Sequence, residues 1–303
     1  MSVRPEEAPS GTIPARKKVT IQRLQQLRTQ NVPITMLTAY DYPSARRAEA
    51  ADIDICLVGD SLAQVALGYS STTLLTLDEM LYHCRAVSRG AQRPLLVADM
   101  PFGTYQLGVR DALDAAVQLV QKGGMEAVKL EGNEEIIPHV RALKDFGIPV
   151  MAHIGLLPQR HASLSGYKVQ GRSAQDALHI ARSAKALQDA GAFSIVLEAI
   201  PSRLAAHITQ QLSIPTIGIG AGVGCSGQVL VQDDALGVWA GHKAKFVRRF
   251  AEVGKEAAKG VEGYALAVKE GTFPAEEEGY AMDEEVFERF KKAQEEELAV
   301  ERS

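Results

Sequence analysis

The chain has 303 residues, 46% hydrophobic and 23% charged, with 33 Lys+Arg against 37 Asp+Glu, and its mean hydropathy is −0.07. That composition suits a globular protein long enough to bury its own core, and no stretch approaches the apolar run a membrane-spanning helix needs. Three scattered cysteines, Cys56, Cys84 and Cys225, exclude a disulfide framework or a thiolate zinc site and suit a reducing compartment, while a net charge of −4 argues against a dedicated nucleic-acid binder.

Met1–Lys18 is polar, holds three prolines and lacks an apolar h-region, so it is expected to be a flexible arm and not a secretory signal. Arg16, Lys17 and Lys18 are basic, but Glu6 and Glu7 argue against an organellar transit peptide. From Val32 to Val231 one rhythm repeats: a short apolar run, then a longer segment of helical periodicity. The runs cover residues 34–40, 53–60, 94–100, 125–132, 148–155, 192–199, 214–222 and 228–231, which makes eight candidate strands. They are almost continuously hydrophobic, as strands buried on both faces should be.

The intervening segments carry helix punctuation. Thr76-Leu-Asp-Glu79 reads as a capping box opening a helix to Arg89, with Gly90 as its stop. Ser173-Ala-Gln-Asp176 opens another that runs towards Gly191, and Pro201 suits the first turn of a third. The connection after the seventh run is too short for a full helix. Eight parallel strands with intervening helices predict a (β/α)8 barrel over residues 19–269, with an open doubly wound sheet as the competing arrangement. GIGAG at 218–222 is a poor dinucleotide fingerprint, because the pattern does not continue and it sits late in the chain. Residues 270–303 hold twelve acids and four bases, a net of −8, and form an acidic helical tail; the preceding 269 residues are left at +4.

Polar residues gather at the C-terminal ends of the apolar runs: Asp60 and Ser61, Asp99, Lys129 and Glu131, His153, Glu198. In a barrel those ends converge on the face that carries active sites. Asp60, Asp99 and Glu131 form an oxygen-only donor set, which favours a hard cation, Mg²⁺ before Ca²⁺. Taken singly, each aspartate also reads as a turn or helix cap, and His153 as a hydrogen-bonded core histidine. A lysine such as Lys129 on a buried strand needs a carboxylate or an anionic substrate. Glu198, in an equally apolar strand, needs a partner or a raised pKa, and the latter would make it a general base. Residues 165–171, with glycines flanking Tyr167 and Lys168, read either as a mobile loop over the mouth or as a plain solvent loop. His83, His139, His161, His179, His207 and His242 have no ligand spacing, and Cys56 is expected to be packed and inert.

TAYDYPSA (38–45), LVGDSLA (57–63), DEMLYHCRAVSRG (78–90), LLVADMPFGTY (95–105), VKLEG (128–132), AHIGLLPQ (152–159), GYKVQGR (166–172), VLEAIP (196–201) and PTIGIGAG (215–222) together resemble the ketopantoate hydroxymethyltransferase family, as does GHKAKFVRRF (241–250). The resemblance implies a (β/α)8 barrel of the phosphoenolpyruvate/pyruvate type. It also implies transfer of a hydroxymethyl group from 5,10-methylenetetrahydrofolate to 3-methyl-2-oxobutanoate, giving 2-dehydropantoate on the way to pantothenate. By the same resemblance Asp60 and Asp99 bind Mg²⁺ directly and Glu131 supports it through water. Ser61, Lys129 and His153 contact the oxoacid, which the metal held by Asp60 and Asp99 also touches, and Glu198 is the general base. A homo-oligomer, often a decamer in bacteria, is implied too, in the cytoplasm or, in a eukaryote, the mitochondrial matrix as the alternative, with no nucleic-acid or membrane partner.

Ser70, Asn133, Ser165 and Asp233 depart from the family pattern, all outside the metal and base set. Two rivals are weighed. A related Mg²⁺-dependent lyase or mutase acting on a carboxylic acid would share the carboxylates, but lyases of that group carry a K-x-C-G-H motif that this sequence lacks. A non-catalytic barrel would be expected to have lost site residues, and all are present.

Overall fold

A computed structural model describes residues 17–163, 166, 168–241 and 243–301. The expected arm up to Arg16, and Ser165, Tyr167 and His242, lie outside the described residues. Two compact units are distinguished, Met1–Ala251 and Glu252–Ser303. The sequence reading carries the barrel to Lys269, whereas compactness divides the chain after Ala251.

The first unit contains, in order, α1 (Ile21–Thr29), β1 (Ile34–Thr38), α2 (Tyr42–Ala50), β2 (Ile55–Val58), α3 (Leu62–Val65), α4 (Leu77–Gly90), β3 (Leu95–Asp99), α5 (Val109–Gln121), β4 (Ala127–Glu131), α6 (Ile137–Asp145), β5 (Val150–Gly155), α7 (Ala174–Ala190), β6 (Ser194–Glu198), α8 (Ser202–Gln211), β7 (Thr216–Ile219), β8 (Gly227–Leu230) and α9 (Gln232–Leu236). The eight strands close in sequence order into one barrel, all pairs parallel, with β8 returning to β1 through Ile34 opposite Gly227. The predicted barrel is therefore found, and the open sheet is excluded. The chain passes from β7 to β8 without a helix, as the short connection requires.

Strand periodicity sorts the barrel into two apolar layers. Met36, Ile55, Leu57, Leu95, Val97, Ala127, Met151, Val196, Ile217 and Val229 point inward as one cluster, which Leu24 and Leu27 of α1 join. The alternate residues pack outward against the helices, among them Cys56, Val58, Leu96, Ala98, Val128, Ala152 and Leu197. Helix α1, which the strand rhythm does not reveal, is tied to the strands' N-terminal end: Arg28 donates to the Leu212 carbonyl, and Val19 N–H to Arg93 O at 2.8 Å. Two steps further along each strand the same inward register reaches Asp99, Lys129, His153 and Glu198. Period two thus turns residues that close apolar strands into one inward-facing layer.

The helix signals hold with two adjustments. Thr76 and Glu79 form the capping box of α4, and Ser173 caps α7, which ends at Gly191 with φ +108°. Gly90 is the last residue of α4 and not a stop beyond it. A β-carbon there would stand 2.8 Å from both Ala45 Cβ and Tyr42 O, so the glycine serves close packing of α4 on α2. Pro201 is the N-cap of α8, one place outside its first turn.

The second unit holds α10 (Val253–Glu270) and α11 (Glu284–Glu301), so the acidic tail is helical as expected. Neither helix buries a residue, and Phe287 stacks on Phe290 with ring centroids 6.2 Å apart. No helix of the described residues is long and apolar enough to cross a membrane.

Candidate active site

The C-terminal ends of the strands surround a cavity of about 290 Å³. Asp60, Ser61, Asp99, Lys129, Glu131, His153 and Glu198 all line it, so every site residue expected from the sequence is brought to one place. Its remaining wall is largely apolar and includes Met36, Val196, Ile219 and Phe246. Asp60, Asp99, Lys129, Glu131 and His153 are each 5% exposed or less.

A polar chain runs across this floor. Lys129 Nζ lies 2.7 Å from Asp99 Oδ1 and 3.0 Å from His153 Nδ1. An ammonium can only donate, so Nδ1 accepts and the neutral imidazole carries its proton on Nε2. That nitrogen stands 3.1 Å from Glu198 Oε2, without an aligned hydrogen bond. The second oxygen of Asp99 accepts the Asp60 N–H at 2.9 Å.

Burial sets the protonation states. It is the largest influence on His153 and, with Lys129 beside it, holds the imidazole well below its ordinary pKa. Burial opposes the charge on Lys129 too, but Asp99, Glu131 and Asp60 outweigh it and keep the ammonium above its usual range. Asp60 is pushed up to about 7 by burial and then by Asp99. Glu131 is raised well above the ordinary carboxylate value by burial and Asp60. Glu198 is raised to about 7 by burial, with Lys129 pulling down and Asp99 pushing up. Four carboxyls thus share a dry site with a single lysine.

One residue at the centre had no role assigned from sequence. Gln159, in the 3₁₀ turn Pro158–Arg160 after β5, is 5% exposed. Its Nε2 donates to Asp60 Oδ2 and to Met100 O, both at 3.0 Å, and its N–H donates to Glu131 Oε2 at 3.0 Å. Its Oε1 accepts from Tyr105 Oη at 2.8 Å. It lies within the AHIGLLPQ motif, but an amide after a strand carries no spacing signal of its own. Among the departures, Asp233 is buried and accepts from Tyr40 Oη at 2.9 and 3.1 Å, and Asn133 N–H donates to Glu135. His83 Nδ1 meets Tyr40 O at 2.5 Å, a structural contact as expected. Cys56 is packed, and burial pushes its thiol up to about 12.

Among the described residues no three His, Cys, Asp or Glu side chains converge as a finished metal cage. Lys129 and Gln159 engage Asp99 and Asp60, oxygens a cation would otherwise share. The donor set still suits a hard divalent cation. Asp60, Asp99 and Glu131 offer carboxylate oxygens alone, they outnumber the one lysine, and Glu131 Oε1 is buried without a hydrogen-bond donor.

Comparison with solved structures agrees with the fold. The barrel matches phosphonopyruvate hydrolase, solved with oxalate and Mg²⁺, at a TM-score of 0.54 and 16% identity, covering 93% of this chain and 98% of that one. It matches 2,3-dimethylmalate lyase, a PEP mutase/isocitrate lyase superfamily member, at 0.54 and 17%, covering 92% and 98%. At such identity the likeness concerns the fold.

Sequence comparison is more specific. A protein named 3-methyl-2-oxobutanoate hydroxymethyltransferase from Emericella nidulans is 50% identical over 92% of this chain and 80% of its own length. Its namesake from Oleidesulfovibrio alaskensis is 54% identical over 83% and 87%, and that from Deinococcus radiodurans 48% over 91% and 98%. Residues 18–276 match the family model described as ketopantoate hydroxymethyltransferase. A match that spans the whole barrel, with relatives near half identical across it, means that this chain belongs to the ketopantoate hydroxymethyltransferase family.

Proposed function

We propose that the chain transfers a hydroxymethyl group to C3 of 3-methyl-2-oxobutanoate, the carbon coming from the methylene of 5,10-methylenetetrahydrofolate and the oxygen from water, giving 2-dehydropantoate and releasing tetrahydrofolate. The observation that carries this reading is Glu198: a carboxyl raised to about 7, on the wall of a small cavity that also holds an ammonium and three buried carboxyls. The names of the half-identical relatives support the same substrate.

The oxoacid is small and anionic, and its carbon skeleton is apolar. Lys129 offers its carboxylate a charge-assisted donor in a dry site, where such a contact is strongest. Ser61, at the N-cap of α3, lines the cavity with a hydroxyl that accepts no capping hydrogen bond from the helix. The C3–H of the substrate is a weak acid, so the base must be pre-positioned and poised near neutrality. Glu198 removes that proton, and the neutral His153 holds its Nε2 3.1 Å from Glu198 Oε2, beside the carboxylate and without an aligned hydrogen bond to it. Val196, Ile219 and Phe246 exclude water from the carbon that gains electron density. Asp60 and Asp99 would hold Mg²⁺, with Glu131 behind them. When bound, the metal supplies Lewis-acid stabilisation of the negative charge that develops on the keto oxygen. We further propose that the protein assembles from several copies, which sedimentation velocity would measure.

The test needs no folate. The protein is incubated with 3-methyl-2-oxobutanoate in D₂O, and loss of the C3 proton signal is followed by NMR with Mg²⁺, with EDTA, and with Glu198→Gln. Metal-dependent exchange that falls at least about a hundredfold in the variant is expected, the scale of general-base catalysis. A folded, Mg²⁺-loaded protein that exchanges no proton, with or without folate, would overturn the reading.

A further inference from the structure

A second cavity, of about 600 Å³, adjoins the first and shares Ala244 and Phe246 with it. We propose that this cavity seats the one-carbon carrier, with the flat pyrimidinone part of the carrier's reduced pterin against Phe246 and its carboxylate tail at Lys168 and Lys245. The inference rests on the transfer reading above and deepens it.

Size sets the need for a second site. A cavity of about 290 Å³ takes a small oxoacid, and a drug-sized folate does not fit beside it, since pockets for such ligands run to roughly 300–1,000 Å³. The carrier's reactive carbon must nevertheless come within bonding distance of C3, so its pocket must open onto the space Glu198 faces. The backbone itself connects the two spaces. Glu198 lines the first cavity and Ala199, the next residue, lines the second. Ala199 has φ +47°, a conformation that a residue bearing a side chain adopts only when its surroundings impose it.

The chemistry of the walls fits such a ligand. Phe246 is 39% exposed and lies against Gly220, where a β-carbon would stand 2.8 Å from the ring. With the glycine behind it, one ring face rests on backbone, and the ring borders both cavities as a stacking surface. Leu156 and Ile200 supply an apolar floor. Lys168 and Lys245 are exposed at the rim, and neither pairs with a carboxylate among the described residues. Ser202 opens α8, a ten-residue helix with no side-chain cap and no acidic residue in its first turn, so its N-terminal N–H groups add to the positive field.

The experiment separates the carrier from the oxoacid. Tetrahydrofolate binding is measured by equilibrium dialysis on the full chain, alongside C3 exchange of the oxoacid. The double variant Lys168→Ala/Lys245→Ala should raise the Kd for tetrahydrofolate about tenfold or more, with exchange within about twofold of the parent and an unchanged thermal midpoint. Its Kd for a tetrahydropterin lacking the glutamate tail should stay within about twofold. Phe246→Ala should weaken both ligands alike. Unchanged tetrahydrofolate binding in the double variant would overturn the assignment. So would equal loss for the tail-less pterin, or loss of oxoacid exchange by a folded protein. If the parent exchanges no proton, the transfer reading fails on its own, and lysine-dependent tetrahydrofolate binding is still decided by dialysis.

Discussion

Replacing Gln159 by Leu keeps the size of the side chain and removes every polar contact it makes. The Nε2 bond to Asp60 Oδ2, 3.0 Å long and between groups 5% exposed, is worth roughly 1.5–3 kcal/mol when the acceptor is charged. The bond to Met100 O at 3.0 Å adds about 1 kcal/mol. Tyr105 loses its 2.8 Å acceptor but keeps Glu131 O at 3.2 Å, a loss of about 0.5 kcal/mol. A leucine in the same space returns about 1 kcal/mol through apolar burial. The net is a loss of about 3 kcal/mol, read as a lower urea midpoint at unchanged m-value, pH 7.5, without metal. The double cycle with Asp60→Asn should assign at least about 1 kcal/mol of this to the Gln159–Asp60 pair. A Gln159→Leu protein within about 0.5 kcal/mol of the parent would refute the claim that this amide holds the buried carboxyls together.

Oxoacid exchange should fall about tenfold per pH unit on the acid side of a limb whose midpoint lies no higher than about 7, because only ionised Glu198 accepts a proton. The groups facing it are the neutral His153 and the charged Lys129 and Asp99, and added positive charge from a metal moves the midpoint down; a flat profile from pH 5.5 to 8 would be inconsistent with this base. Gly155→Ala should lower the thermal midpoint and abolish exchange together: at φ +94° its β-carbon would stand 2.3 Å from Glu198 O, displacing the base. Glu49 provides a stability test away from the site. Burial raises its pKa, but the N–H groups of Arg93 and Gln92 and the Arg93 guanidinium outweigh burial and hold it below its usual 4.5. Its stabilisation is therefore full above pH 4.5 and lost as pH falls through the lower folded value. Glu49→Gln should cost roughly 1–2 kcal/mol in urea at pH 7, with the difference from the parent shrinking below pH 4.5; a difference independent of pH would contradict this account.

The strand rhythm made the barrel legible because parallel strands covered on both faces must be apolar almost throughout, and the capping box at Thr76 and the N-cap at Ser173 are local hydrogen-bond patterns that chain neighbours complete by themselves. The candidate site was legible for a related reason. Asp60, Asp99, Lys129, Glu131, His153 and Glu198 are residues that burial penalises, standing in segments that burial demands, and that conflict is visible without coordinates. What the sequence could not carry were relations between distant segments. Gly90 looks like a helix stop until the backbone of α2 is seen 2.8 Å from its missing β-carbon. Gln159 is an ordinary amide until closure of the barrel sets it against Asp60, far away in the chain. The direction of each ionisation also waited for the fold. Desolvation and charge pairing depend on which groups lie within a few ångströms, and only closing eight strands into a ring decides that.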